Sequence, residues 1–384
     1  MSGLSEPTGD RSYFDQSAEV KARGLYQILR PDGTVTDDTA AAAFDAEQAM
    51  ALYRGMLTIR VVDARMMALQ RQGRTGFYGE ARGQEAAVVG SAAALEPQDW
   101  LIPALREAGA GLYRGLTLDS YIAQIFGNGV DVSKGRQMPC HPCDREHNYV
   151  VMSSCVANQL PHAVGIAWAM KIKGDSDKIC IGYMGDGGTS EPDFHVAMNF
   201  AGVARAPVVL VCQNNQWAIS TPGAVQTVSE TIAVKGLAYG MECLRADGND
   251  VLASYAVTKY AADKARNGGG PTFIELLTYR VSAHSSSDDP SRYRDESITD
   301  TWKSERDPLE RMRVYMIGKG WLAEGQTEAM AEAIETEVRS VIDRQEKMAP
   351  PALETLIEDV YEQPTWGLRE QLDEYRRSLS GHGD

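Results

Sequence analysis

Gly185-Asp186-Gly187 and Asn214-Asn215 are separated by 26 residues, and between them they offer one carboxylate and one amide oxygen. Hard oxygen donors of this kind suit Mg2+, which fills its remaining positions with water and substrate phosphate. Gly187 and Gly188 would let the backbone approach a phosphate closely. Ser190 reads as the N-cap of the helix that follows, with Pro192 in its first turn, so that a helix N-terminus would face the anion. The parts describe a magnesium-bridged diphosphate site. A lone Gly-Asp-Gly is an ordinary turn, so the weight rests on its spacing from the asparagines.

That spacing needs two neighbouring strands. Lys178–Met184 and Pro207–Cys212 are short apolar runs, and residues 190 to 203 between them read as helical. A crossover between parallel strands takes a dozen or more residues, and the ends of neighbouring strands lie roughly 5 Å apart. Asp186 and Asn215 could then reach one ion at the carboxyl edge of a sheet, where ligands bind in such folds. The scheme repeats in Cys243–Ala246, a helix over Asp250–Arg266 and the run Thr272–Tyr279. This alternation predicts an α/β fold, a mostly parallel sheet with helices on both faces. Upstream, the spacing predicts helices over Ala46–Gln72, Gln84–Ala94, Ala157–Lys173 and a pair within 103–127, with a loop at Lys134–Cys143. The organisation read from this pattern is an N-terminal arm (1–45), an α/β domain (46–300) and a charged C-terminal helical extension (301–384).

The 384 residues carry 38 Lys and Arg against 53 Asp and Glu, a formal charge of −15. That balance argues against a non-specific nucleic-acid binder, which needs clustered cations. No apolar stretch approaches the roughly 18 residues of a membrane span. Six cysteines in so long a chain make no disulfide framework, and Cys180 and Cys212 sit in apolar runs as small hydrophobes. The acidic start has neither a signal core nor transit character, so the chain reads as cytoplasmic, or as a processed form in the mitochondrial matrix.

The pattern resembles the thiamine-diphosphate signature, and its flanks resemble the alpha subunit of the decarboxylating component of 2-oxo acid dehydrogenases. The similar segments are collinear over about four-fifths of the chain: Arg71-Gln72-Gly73-Arg74, Phe77-Tyr78, Arg106-Glu107-Ala108-Gly109, Gly135-Arg136-Gln137-Met138-Pro139, Trp217-Ala218-Ile219-Ser220, and Thr278-Tyr279-Arg280 leading to His284-Ser285-Ser286-Ser287-Asp288-Asp289. The Ser-Asp-Asp after His284 is closer to the branched-chain members than to the pyruvate members.

The resemblance implies the thiamine-diphosphate-binding fold and oxidative decarboxylation of a 2-oxo acid, with acylation of a lipoyl carrier. It implies Mg2+ on Asp186, Asn215 and the Trp217 carbonyl. Arg106, His284 and the backbone at Gly187 and Gly188 would contact the diphosphate, with Ser154 close by and His284 also catalytic. A potassium site of the branched-chain members maps onto Ser153, Cys155, Asn158 and Gln159, with Cys155 and Asn158 in place of the usual Pro and Thr. Two cofactor-contact positions depart from the family: Leu105 stands for a Tyr and Gln213 for a phosphate-facing Arg. The partners implied are a beta subunit, in a two-alpha two-beta unit that supplies a catalytic glutamate, and a lipoyl-bearing acyltransferase core. Ser285 matches a phosphorylation site of mitochondrial relatives.

Other readings compete at several of these residues. Pyruvate or acetoin could be the substrate in place of a branched-chain 2-oxo acid. A degenerate, structural alpha subunit is the reading from a different class, suggested by Leu105 and Gln213. Cys140-His141-Pro142-Cys143 with His147 invites zinc, but lacks the second cysteine pair of a structural site. His162 and His195 fall on helices and read as packing residues.

Overall fold

A computed structural model of the chain describes residues 7–8 and 11–380. The remaining residues, which include Glu6, Gly9 and Asp10 of the arm, lie outside it.

The centre is a seven-stranded sheet in the order β1-β2-β8-β9-β5-β4-β3, in which every pair is parallel. Its strands are β1 (Pro7–Thr8), β2 (Leu25–Tyr26), β3 (Trp100–Ile102), β4 (Cys180–Gly185), β5 (Val208–Asn214), β8 (Glu242–Asp247) and β9 (Thr272–Leu277). A small hairpin, β6 (Trp217–Ala218) and β7 (Thr221–Pro222), stands apart from it. Alternate residues of each strand enter opposite core layers, as the two-residue period requires. Ile181, Tyr183, Val209 and Val211 face the helices Ala46–Arg71, Glu85–Ala93 and Val251–Arg266. Cys180, Met184, Leu210 and Cys212 face the helices Gln159–Lys173 and Pro192–Ala204. The two cysteines are packing residues, as the sequence suggests.

The predicted helices stand close to their expected bounds. The helix Ala46–Arg71 begins at a capping box, in which Asp45 accepts from the Gln48 amide at 2.8 Å and Gln48 Oε1 accepts from the Asp45 amide. Such reciprocal bonds satisfy donors that a helix start leaves free. Five short strands, β1, β2, β3, β6 and β7, had no counterpart in the sequence reading, each being two or three residues long. Trp100–Ile102, which pairs with β4 and bridges to Tyr149 through Leu101, is too short for a periodic signal.

The described part of the arm enters the sheet as its strands β1 and β2 and is pinned to β8. Tyr13 donates to the Lys21 carbonyl at 2.8 Å and accepts from the Arg245 amide at 2.7 Å, while Gln27 Nε2 donates to Asp247. Among the described residues no helix is long and apolar enough to cross a membrane.

Because all strands of the sheet run the same way, their carboxyl ends share one edge. Segments leaving β3, β4, β5 and β9 carry Leu105 and Arg106, Asp186, Asn215, and Arg280 to His284 respectively. The topology therefore gathers the chemistry that the sequence scatters over about 180 positions.

Candidate active site

β4 and β5 are neighbours in register Gly185↔Gln213, so Asp186 and Asn215 both emerge just past paired strand ends. Asp186 is 1% exposed, and neither carboxylate oxygen has a hydrogen-bond partner. Burial pushes its carboxyl up to about 6, against the opposing pull of the Arg280 guanidinium. An orphaned buried carboxylate is costly unless a cation completes it. Asn215 is fixed by Gln84, whose Oε1 accepts from Asn215 Nδ2 at 3.0 Å, and its own Oδ1 accepts from the Trp217 amide at 3.1 Å. Gln84 Nε2 is itself buried with no acceptor.

Asp186 opens a 3-10 turn, Asp186–Ser190, before the helix Pro192–Ala204. This corrects the reading of Ser190 as N-cap. Glu191 occupies that position without a side-chain cap, and Pro192 is the first helical residue. The extra turn separates the glycines from the α-helix, so the amides beside Asp186 belong to the 3-10 turn. The Asp186 carbonyl accepts from Thr189 Oγ1 at 2.8 Å and from Gln226 Nε2 at 2.7 Å. Gly187 is required here, because a Cβ would lie 2.8 Å from the Ala218 Cβ of the hairpin. Gly188 is under less pressure, its Cβ position being 3.4 Å from the Met184 side chain.

The same sheet edge carries a cationic group. Arg106 is buried, donates through Nη2 to the His284 carbonyl at 2.8 Å and through Nη1 to the Glu80 carbonyl, and makes no ion pair among the described residues. Burial and the nearby Arg280 charge lower it to about 10. Arg280 Nη2 donates to the Ile219 carbonyl at 2.8 Å and to Tyr293 Oη at 2.7 Å, and Nη1 reaches the Trp217 carbonyl at 3.5 Å. The His284 ring is pushed down to about 4 by burial, Arg106 and Arg280, so it is neutral at pH 7. Its backbone N–H donates to Asp288 Oδ2 at 2.7 Å, and Tyr293 Oη donates to the same oxygen at 2.5 Å. The loop is docked further by Ser286, which exchanges bonds with the Tyr78 backbone, and Ser285 is buried.

The departures from the family pattern have local consequences. Gln213 is buried and donates through Nε2 to Glu107 Oε1 at 2.5 Å, while its Oε1 has no partner. Glu107 also accepts from the amides of Ala104 and Arg106, and burial pushes it up to about 7. Leu105 lines a small cavity with Asp63, Tyr78, Gly79, Arg106 and Tyr121.

Ser154 is exposed, with Oγ 2.5 Å from His141 Nε2. Ser153 Oγ accepts from the Cys155 amide at 3.2 Å; Cys155 is exposed, Asn158 half-buried, and Gln159 buried with Nε2 on the Tyr183 carbonyl at 2.8 Å. Gln159 Oε1 has no partner. The zinc reading fails on geometry: His141 turns to Ser154, His147 Nδ1 binds Asp144 at 2.7 Å, and Cys140 is buried. No group of three or more His, Cys, Asp or Glu side chains among the described residues is arranged to hold a metal.

Four residues of the site escaped the sequence reading: Gln84, Glu107, Gln226 and Arg280 in its bonding role. Each reaches its partner across the fold, Gln84 from 131 positions away and Gln226 from 40. No local spacing could carry that signal.

The family model of the dehydrogenase E1 component matches residues 53–354. The chain is 41% identical over 369 residues to the 2-oxoisovalerate dehydrogenase subunit alpha 2, mitochondrial, of Arabidopsis thaliana, covering 96% of this chain and 78% of that one. It is 41% identical to the corresponding alpha subunit of Dictyostelium discoideum, with 94% and 81% covered. To the human alpha subunit it is 36% identical, with 100% and 86% covered. With that identity sustained along nearly its whole length, the chain belongs to the dehydrogenase E1 component family, among the alpha subunits of the 2-oxo acid dehydrogenases.

Proposed function

We propose that the chain is the alpha subunit of a branched-chain 2-oxo acid dehydrogenase, binding the metal and diphosphate end of thiamine diphosphate and acting with a beta subunit. The single observation that carries this is the buried, partnerless Asp186 carboxylate beside Asn215, at the sheet edge that also carries Arg106, Arg280 and His284. Anionic oxygens and uncompensated guanidinium groups at one edge fit a divalent cation bridged to a diphosphate. The identity to 2-oxoisovalerate dehydrogenase alpha subunits supports the substrate class.

In this reading Asp186, Asn215 and the Trp217 carbonyl hold Mg2+. Arg106, His284 and the amides at Gly187 and Gly188 hold the diphosphate, with Ser154 and the Leu105 and Gln213 positions around it. Thiamine diphosphate, when bound, supplies the electron sink for decarboxylation. The residues of this chain orient it: Gln84 sets the face of the Asn215 amide, Gln226 the Asp186 carbonyl, and Arg280 the Trp217–Ile219 backbone. His284, neutral in the absence of an anion, can take or give a proton at a ring nitrogen. Ser153, Cys155, Asn158 and Gln159 form the potassium position, where Gln159 Oε1 is a free acceptor. The beta subunit, in a two-alpha two-beta unit, contributes the glutamate this chain lacks, and the acyl group passes to a lipoyl carrier on the acyltransferase core. The three-part division into arm, α/β domain and helical extension accompanies this reading, as does a matrix or cytoplasmic site of action.

Calorimetry with Mg2+ and thiamine diphosphate on the chain co-expressed with its beta subunit tests the reading. Saturable binding is expected, and it disappears in Asp186→Ala. Turnover of 2-oxoisovalerate should exceed that of pyruvate and acetoin. A well-folded complex without binding would instead leave a structural subunit, in which Gln213 serves Glu107.

A further inference from the structure

One buried carboxylate near the site has no part in the reading above. Asp63 lies in the middle of the helix Ala46–Arg71, 7% exposed. Its Oδ1 accepts from Tyr78 Oη at 2.7 Å and its Oδ2 from the Ala81 amide at 2.8 Å. Tyr121 Oη donates in turn to Tyr78 Oη at 3.2 Å. Both oxygens thus fasten one short segment, Tyr78–Ala81, at its two ends. Between those ends is Glu80, whose carbonyl accepts from Arg106 Nη1.

Among the described residues Arg106 donates its side chain to two acceptors, this carbonyl and that of His284. The segment borders a small cavity lined by Asp63, Tyr78, Gly79, Leu105, Arg106 and Tyr121. The segment is also tied at Tyr78 to Ser286, and the bonds to Asp63 add the hold on the Ala81 side of the Glu80 carbonyl. Burial raises the Asp63 carboxyl to about 8, so Asp63 acts on this segment through its hydrogen bonds rather than through charge.

We propose that Asp63 is a positioning residue for Arg106: by fastening Tyr78 and Ala81 it fixes the Glu80 carbonyl, and through it the guanidinium that grips the diphosphate. The inference rests on the reading of Arg106 as a diphosphate contact. A merely structural Asp63 would affect folding and cofactor affinity independently of Arg106, and a double-mutant cycle separates the two.

The experiment measures the dissociation constant of thiamine diphosphate, at saturating Mg2+, on the complex with the beta subunit. The variants are Asp63→Asn, Arg106→Ala, and the two combined, each with the thermal midpoint of the cofactor-free complex. Arg106→Ala is expected to weaken binding about 100-fold, the loss of charge-assisted bonds to phosphate. Asp63→Asn is expected to weaken it about tenfold, and the combined variant no further than Arg106→Ala alone. Tyr78→Phe keeps the ring and removes one of the two bonds, so about threefold is expected. Should Asp63→Asn fail to assemble, Tyr78→Phe carries the same cycle. The proposal is overturned if Asp63→Asn binds as the wild type, or if its tenfold loss multiplies that of Arg106→Ala. If Arg106→Ala itself binds normally, the diphosphate role of Arg106 falls, a failure distinguishable from the other two.

Discussion

Asp186 and Asp250 are both buried aspartates just beyond strands of the same sheet, and burial pushes both carboxyls up to about 6. Their surroundings are opposite. Asp250 Oδ2 accepts from the amides of Ile28 and Leu29 at 2.7 Å each, and Oδ1 accepts from those of Leu252 and Ala253 at 3.0 and 3.2 Å. It caps the helix Val251–Arg266 and ties the N-terminal segment to it. Asp186 has no such partner on either oxygen. A displaced pKa or deep burial does not separate a structural carboxylate from a binding one. The count of satisfied oxygens does.

Substitution should split the pair most widely. Asp186→Ala is expected to weaken Mg2+-dependent thiamine diphosphate binding at least about 100-fold in calorimetry, from the loss of the charged ligand. The conservative Asp186→Asn should at the same time raise the stability of the cofactor-free complex by on the order of 2 kcal/mol, since an uncompensated buried charge is removed. Asp250→Ala should do the reverse. It costs about 2–4 kcal/mol in denaturant unfolding, through a lost helix cap and two further orphaned amides, and leaves cofactor affinity per folded complex within about twofold.

The pH dependence sharpens the contrast. Each folded-state pKa lies above its unfolded value of 3.8, so between roughly pH 4 and 6 the folded protein holds more protons than the unfolded one. Both groups therefore lower stability as pH rises through that window, and the cost is complete above it. Mg2+ with thiamine diphosphate should remove only the Asp186 share, and cofactor affinity should fall as pH drops below about 6. Thermal melts at pH 4.5 and 7.5, with and without cofactor, test this. An Asp250 share that also vanished on binding would break the comparison.

Smaller effects follow for the neighbouring groups. His284, lowered to about 4 by burial and two guanidinium groups, should gain proton affinity when a diphosphate offsets those charges. Near pH 6 Asp186 releases a proton on binding Mg2+, so the His284 share is the difference: wild type should take up a fraction of a proton more than His284→Gln, measured in buffers of different ionisation enthalpy. Smallest is Ser190→Ala. That hydroxyl caps no helix and accepts only from Gln226 Nε2 at 3.1 Å, so stability should change by less than about 0.5 kcal/mol.

The strands and helices of the central βαβ unit were legible in the sequence because apolar runs and helical periods alternate there without interruption. Crossover length fitted one βαβ unit, and the meeting of Asp186 and Asn215 rested on the two strands being neighbours, which the pairing of β4 with β5 supplies. The 3-10 turn was not legible, because Gly-Gly-Thr-Ser carries no periodic signal and Ser190 satisfies a capping pattern by composition. Gln84 and Glu107 were hidden for another reason. Their roles depend on which segments the sheet order brings together, and polar side chains announce no partner at long range. Arg106 and His284 were found through the family motif; the backbone carbonyls that hold the guanidinium are sequence-independent groups and left no trace.

The strand order also sets a schedule. Gln27 and Asp247, bonded across the junction of β2 and β8, are 220 positions apart. At about 5–20 residues per second, the N-terminal segment leaves the ribosome roughly 10–40 s before its partner strand is made. During that interval Tyr13, Tyr26, Ile28 and Leu29, all buried in the finished protein, have nothing to cover them. This segment, made well before its partner strand, is thus among the last to be secured, and it is where a nascent chain most needs a holding chaperone.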